Sequence, residues 1–396
     1  MPGAGPTAGE KLRAYTGPAF FGHGFRPFFF SAALFAGLAI PLWMAAFSHG
    51  YPVGPAGNAL GWHGHEMIFG YVAAVIAGFV MTAIPNWTGR LPVMGVPLGL
   101  LFAIWLAGRI SMFVGGDAVI IGVIDCLFLV AVGALAWREV AAGKNWRNLP
   151  VCVLIGLLAL ANIIDHAGDA LGLPYQVGLR MALALITALM MLIGGRVIPS
   201  FTTNWMKKQG MTVVPSPFGS YDKIALLVAI VTLLAWVVIP DSVAAGVGFM
   251  IAAALHMVRL IRWRGWYCGK DPLVLVLHIA YFWIPVAFGL MGLAILQPNI
   301  LTSTQALHAL TAGAMGQLTM AIMTRASLGH CGRELRAGIG TIVIYLLVFI
   351  GALLRIVLPY TEISYALTMS IAGMIWAAGF LLFAVLYGPM LFAPRK

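Results

Sequence analysis

The sequence predicts an all-helical membrane protein that crosses the bilayer about twelve times. Hydrophobic residues make up 61% of the 396 residues and charged residues only 9%, whereas soluble globular domains carry about 25% charged residues. Apolar stretches long enough to cross a bilayer recur from one end of the chain to the other. With so few charges, most helical surfaces must contact lipid or other helices. The composition therefore excludes a set of soluble domains and predicts a single transmembrane domain over residues 1–396.

Twelve hydrophobic segments account for the predicted helices. Each is long enough to cross a hydrocarbon core of roughly 30 Å as a helix. Residues 1–19 contain no apolar segment, so we expect no cleaved signal peptide. The segments run near 28–48, 62–85, 92–114, 117–137, 150–171, 177–199, 222–240, 242–262, 272–296, 302–326, 338–359 and 363–391.

The lysines and arginines predict the orientation of these helices. Of the 23 basic residues, all but three fall on the side that holds both termini. The exceptions are Arg109, Arg180 and Arg355. Because cytoplasmic loops carry the excess of basic residues, both termini are predicted to be cytoplasmic. The net charge of +11 therefore reflects topology and contact with anionic lipid, and no nucleic-acid partner is expected.

Three segments of the sequence resemble one another and suggest an internal repeat. Segments 65–90 and 308–333 hold a histidine and a Gly-Arg pair at the same separation, and IPSFT at 198–202 resembles IPNWT at 84–88. These segments belong to predicted spans 2, 6 and 10, so we expect three four-helix units in a pseudo-threefold arrangement. The helix count and histidine placement resemble the core of the haem–copper oxidases, which is an analogy of architecture and not of activity. The predicted units cover residues 20–145, 146–265 and 266–396.

The nine histidines are the main candidates for chemistry. An imidazole within a bilayer is costly unless it binds a partner, so such histidines indicate either a ligand site or an interhelical hydrogen bond. Four are expected near the less basic face, namely His63, His65, His166 and His308. Three are expected near the basic face and, without thiolates beside them, suit copper or haem iron; they are His256, His278 and His330.

The string Trp62-His63-Gly64-His65-Glu66 is the most informative in the chain. Residues two apart on a helix point about 200° apart, so His63 and His65 cannot bind one ion as neighbours. Either they face two different cofactors, or one is a ligand while the other donates a hydrogen bond. Glu66 is the one candidate for a catalytic role, as a proton relay.

A b-type haem fits these histidines, because two imidazoles from different helices are a common ligand pair for it. The repeat pairs His65 with His308 as axial ligands, which leaves His63 and His166 for a second haem or for copper. The four cysteines are scattered and form no CxxCH motif, which disfavours covalently attached haem. Haem propionates require cations. The candidates on the less basic face are Arg109, Arg180 and Arg355, each of which could instead anchor its helix at the interface.

Several strings resemble the NnrS family over essentially the whole chain. They are GFRPFFF (24–30), WHGHEMIFG (62–70), AIPNWTGR (83–90), GGRVIPSFT (194–202) and ALHALTAGAMG…MTRASLGHCGR (306–333). The resemblance implies a twelve-span inner-membrane protein associated with haem and copper. It also implies a role in nitric oxide metabolism, in denitrification or under nitrosative stress. The motif histidines are then His63, His65, His308 and His330, with His166 and His278 in less distinctive surroundings.

Two functions follow as expectations. The first is an oxidoreductase of electron transport that reduces nitric oxide with electrons derived from quinol. The second is a non-enzymatic haem protein that binds or buffers nitric oxide, or that handles metal or haem for denitrification. Span 6 contains no histidine for a copper partner, which weakens the analogy with oxidase chemistry. A transporter without a cofactor is a third reading, which the number of histidines disfavours.

Overall fold

The computed structural model describes residues 15–395, and every regular element in that range is helical. Twelve helices in that range are long and apolar enough to cross a membrane, which confirms the predicted fold class and makes the chain a multi-pass membrane protein. The expectation about a signal peptide falls largely on residues 1–14, outside the described residues. We number the spanning helices α1 Phe25–His49, α2 Ala59–Thr88, α3 Val96–Val114, α4 Ala118–Ala142, α5 Trp146–Ala167, α6 Val177–Lys208, α7 Ser220–Val238, α8 Val243–Arg262, α9 Pro272–Leu296, α10 Ser303–His330, α11 Ile339–Tyr360 and α12 Tyr365–Phe392.

Polar side chains fix where several helices begin. Asp117 accepts hydrogen bonds from the second and third backbone N–H groups of α4, and Ser242 and Asp271 cap α8 and α9 in the same way. At the start of α10, Thr302 and Gln305 form a reciprocal capping box. Such caps satisfy backbone donors that have no partner within the helix. These caps therefore define the first residue of each helix, although the helices themselves are almost uniformly apolar.

Several helices extend past their predicted ends, and α6 extends furthest. The prediction ended span 6 at residue 199, but α6 continues to Lys208 with Pro199 inside it. The hydroxyls of Thr202 and Thr203 donate to carbonyls one turn earlier, so local hydrogen bonds supplement the backbone ladder that the proline interrupts. Helix α10, which was predicted to end at residue 326, continues to His330. That histidine was expected in a loop.

Helices α2, α6, α9 and α10 form the interior of the bundle, and the other helices expose many large apolar side chains suited to lipid. Helix α12 packs against α1, so the first and the last spanning helices are neighbours. The apolar cavity at the centre, of about 90 Å³, is lined by α2, α6 and α10 through residues such as Val75, Met190 and Leu318. These are the three helices of the suggested repeat, but the three-unit arrangement itself stays a prediction.

Helices α2 and α10 each contain one π-helical segment, Glu66–Val72 and Ala309–Met315. Each segment starts immediately after a histidine, His65 in α2 and His308 in α10. In each, a backbone carbonyl accepts a hydrogen bond from a tryptophan of a neighbouring helix. The indole of Trp105 donates to Gly70 at 2.9 Å, and that of Trp376 donates to Ala312 at 3.1 Å. The two helices thus share a local irregularity of a kind that is frequent at functional sites.

Candidate functional site

A buried polar cluster lies near the less basic face, where α2 begins and α5 ends. It draws on four helices: α2, α3, α4 and α5. We call it the carboxylate–histidine cluster. Its members are His65, Glu66, Arg109, Asp125, Asn162, Asp165 and His166.

Two histidines of this cluster meet at one carboxylate oxygen. His65 Nε2 and His166 Nε2 each lie 3.1 Å from Asp125 Oδ2. The amide of Asn162 donates to the same oxygen at 2.8 Å. The other ring nitrogen of His65, Nδ1, lies 2.9 Å from Asp165 Oδ2. One oxygen of Asp125 therefore collects three nitrogen atoms from two helices.

Arg109 connects the remaining carboxylates of the cluster. Its guanidinium donates to Glu66 Oε1 at 2.7 Å and also to Asp125 Oδ1. Gly70 makes room for this pairing, because a Cβ there would lie 2.5 Å from Arg109 Nη1 and 2.8 Å from Glu66 Oε2. Arg109 was one of three candidates for a propionate contact, and in the structure it pairs with protein carboxylates. Glu66, the candidate proton relay, is fully buried, and its Oε2 finds no partner among the described residues.

A second group on the same face contains His63, His308 and Arg355. The positive charge of Arg355 reaches both imidazoles, and His63 lies close enough to His308 to influence it. His308 Nδ1 donates to the carbonyl of Thr304 at 2.7 Å, which leaves Nε2 free to act as a ligand. The ring of His63 stacks on Trp43, with 4.2 Å between ring centroids. We call this set the His63–His308 group.

In the structure, the histidines near the less basic face therefore group differently from the pairs that the sequence predicted. His65 lies with His166, Asp125 and Asp165, whereas His308 lies with His63. As the helical spacing predicts, His63 and His65 face different neighbours, since His63 contacts α1 and His65 contacts α4 and α5. Whether any of these imidazoles holds a haem or a metal stays a prediction.

Of the predicted histidines near the basic face, His256 and His278 have partners within the protein. His256 accepts from the Tyr281 hydroxyl at 2.9 Å and donates to a backbone carbonyl at 3.2 Å, so both of its ring nitrogens are occupied. His278 Nε2 bonds with Thr202 at 2.8 Å. The buried Arg259 reaches Asp222 and Tyr281 nearby. These contacts favour a structural role for His256 in holding α7, α8 and α9 together.

His330 lies apart from these two, beside the ring of Phe25, with 5.5 Å between ring centroids. It also lies near His23, which precedes α1. Burial, followed by the charges of His330 and Arg26, lowers the pKa of His23 to about 4. His23 is thus held as a neutral imidazole at ordinary pH, and it is an additional candidate ligand beside His330.

Arg180 shares no contact with either group on the less basic face within the described residues. Its guanidinium donates to the carbonyl of Tyr175 at 2.8 Å, which suits an interfacial anchor. The sequence analysis missed Asp125, Asn162 and Asp165. A signal for the two aspartates existed, because an acidic residue inside an apolar span is rare and marks a functional position by default. Asp125 stands in the run VIDCLF of α4.

Comparison with known families identifies the chain. A family model described as NnrS protein matches residues 19–395, nearly the whole chain, whereas a comparison with curated proteins finds no match. The match fits a role in nitric oxide metabolism. It covers all twelve spanning helices together with the carboxylate–histidine cluster and the His63–His308 group. The chain therefore belongs to the NnrS family.

Proposed function

We propose that this chain is a haem protein of the bacterial inner membrane, with both termini cytoplasmic, that reduces nitric oxide with electrons derived from quinol. The observation that carries the proposal is the His63–His308 group. Two imidazoles from two helices and a buried guanidinium are the donor set that a b-type haem with its propionates requires. When bound, the haem would supply a one-electron iron centre.

Buried polar atoms that have no hydrogen-bond partner support a haem at this group. Among the described residues, His63 Nδ1 and two guanidinium nitrogens of Arg355 are buried without a hydrogen-bond partner. A buried guanidinium without an anion is costly, and a carboxylate is the partner that best matches its geometry. His63 and His308 would hold the haem, rather than the pair His65 and His308, because both ring nitrogens of His65 already face carboxylates.

Four features of the chain would have separate tasks in this function. The carbonyl of Thr304 fixes the tautomer and direction of His308 by accepting from Nδ1. Trp43 holds the ring of His63 in place by stacking. The central cavity between α2, α6 and α10 is apolar and can admit a small apolar gas from the bilayer. Glu66 offers a free carboxylate oxygen in the interior, where a proton can be held.

One observation favours the non-enzymatic alternative. Helix α6 contains no histidine, and its wall of the central cavity consists of apolar residues such as Ile193 and Ile198. A copper ion that shares nitric oxide with a haem iron would have no imidazole from that helix. A protein built this way can bind or buffer nitric oxide, or handle haem or metal for denitrification, without turning the gas over.

The deciding experiment measures quinol-driven nitric oxide consumption by the purified protein in nanodiscs, together with haem and metal analysis. We expect consumption that requires quinol, and we expect both consumption and haem to be lost in His308→Ala. The matched control is His256→Gln, which removes a buried histidine outside the proposed site. A preparation that contains reducible haem but consumes no nitric oxide would overturn the enzymatic reading and leave the binding function.

A further inference from the structure

We propose that His65, Asp125 and His166 bind one divalent first-row transition-metal ion, at a site that involves no haem. The three ligand atoms lie within 4.8 Å of one another. Two imidazoles and one carboxylate on one face of an ion are the protein ligands of many non-haem iron and zinc centres. The site uses neither His63 nor His308, so it does not depend on the proposed haem.

The distances in the cluster suit shared coordination. With metal–ligand bonds of about 2.1 Å, neighbouring ligand atoms are about 3.0 Å apart in an octahedral site and about 3.4 Å apart in a tetrahedral one. The two imidazole Nε2 atoms lie 3.1 Å from Asp125 Oδ2. Two of the three ligand–ligand distances therefore already suit shared coordination, and the imidazole nitrogens, which lie within 4.8 Å of each other, would approach each other around an ion. At least one coordination position stays open.

The net negative charge of the cluster also favours a bound cation. Glu66, Asp125 and Asp165 supply three carboxylates, and Arg109 is the one guanidinium that contacts them in the part of the chain that the structure describes. The side chains of Glu66 and Asp125 are 0% and 1% exposed. With both imidazoles neutral, three carboxylates and one guanidinium leave two negative charges in excess, which are expensive to bury inside a bilayer. One divalent ion neutralises both of them and lets the two imidazoles stay uncharged.

A further shell of contacts orients the ligands. Asp165 accepts from His65 Nδ1 at 2.9 Å, so that Nε2 points towards Asp125. This carboxylate–histidine–metal arrangement fixes the tautomer of a metal-bound imidazole and raises its basicity. Glu66 Oε2 and Asn162 Oδ1 are buried without partners among the described residues. Both can accept from a water molecule on the open position of the metal.

The test compares metal content between variants of the full-length protein. We expect purified wild-type protein to hold a stoichiometric amount of iron, zinc or manganese beyond the iron in its haem. Haem is measured separately as the pyridine haemochrome. Asp125→Asn and His166→Ala should lose this metal while their haem content stays normal. Asp222→Asn is the matched control, because Asp222 is a buried carboxylate paired with an arginine outside the cluster.

A second measurement uses wild-type protein, so it stays informative if the variants fold poorly. Metal-stripped wild-type protein is titrated with Co²⁺, and the visible absorption bands of the bound ion are recorded. We expect a saturable spectrum, and Asp165→Asn should weaken the affinity roughly 10–100-fold. Stripped wild-type protein that stays monodisperse but binds no Co²⁺ would overturn the site. Full metal retention in both Asp125→Asn and His166→Ala would overturn it as well. Normal haem in either case leaves the proposed function standing.

Discussion

His65 Nδ1 lies 2.9 Å from Asp165 Oδ2 although the two residues are 100 positions apart in the sequence. This contact joins the start of α2 to the end of α5. It gives His65 a carboxylate on each side of its ring, since Nε2 faces Asp125. The imidazole is therefore fixed in direction before any ligand binds, and its surroundings differ from those of His63 on the same helix.

Removal of the Arg109 guanidinium should strongly destabilise the protein. Arg109→Gln leaves Glu66 and Asp125 buried without their cation, and breaking a buried ion pair typically costs about 3–5 kcal/mol. We expect a clearly lower melting temperature in detergent. Arg138→Gln is the control, because Arg138 is largely exposed where it pairs with Glu139 and such pairs contribute about 1 kcal/mol or less. Equal melting temperatures for both variants would contradict the tight pairing described for Arg109.

A methyl group at Gly70 should disturb the same ion pairs. In Gly70→Ala the new Cβ would lie 2.5 Å from Arg109 Nη1, so the guanidinium must move. Overpacking of this kind costs about 1–3 kcal/mol. Gly156→Ala is the matched control, since a Cβ at that helical position meets nothing within 4 Å. The melting temperature should fall for Gly70→Ala alone, and a drop of the same size in the control would point to a general effect of glycine replacement.

Replacement of Arg355 should shift the midpoint potential of the proposed haem. In Arg355→Gln the propionates lose a buried cation, so the oxidised, more positive haem is favoured and the midpoint falls. Arg355→Lys should restore it only in part, because an ammonium group cannot form the bidentate contact. Redox titration of both variants measures this, with Arg180→Gln as the control. An unchanged midpoint in Arg355→Gln, with normal haem content, would assign Arg355 to anchoring.

Cys268 should resist alkylation at neutral pH. It lies between α8 and α9, outside the spanning segments, and burial together with Asp271 raises the pKa of its thiol to about 11. Only the thiolate reacts, so its labelling by iodoacetamide should keep rising with pH above 9, where an ordinary thiol levels off. Mass spectrometry of the labelled native protein resolves each cysteine. Rapid labelling of Cys268 at pH 7 would contradict its burial.

The fold was predictable because lipid imposes it. Long apolar segments with few charges must be helical in a bilayer, and all twelve were located from hydropathy. Helix ends were less predictable, as α6 and α10 show, because residues 200–208 and 327–330 are too polar to register as apolar spans although they are helical.

For the site, the sequence predicted on which face the histidines lie but not which of them meet. Position along a helix follows from residue number, so His63, His65, His166 and His308 were expected at one depth. Contacts between helices depend on rotation and on neighbours that are remote in the chain, so the pairing of His65 with Asp125 and Asp165 was not foreseen. The expected pairing of His65 with His308 assumed that equivalent residues of a repeat face each other.

Because α2 and α10 contain π-helical segments, the direction in which their histidines point depends on the number of residues in the helix. It does not depend on side-chain identity alone. A π turn holds one residue more than an α turn. Deletion of a single residue within Glu66–Val72 would restore regular winding and rotate everything before it by about 100°. His63 and His65 would then turn away from Trp43 and Asp125 with no histidine replaced. Relatives that lack this one residue should therefore differ in chemistry even where the histidine motif itself is intact.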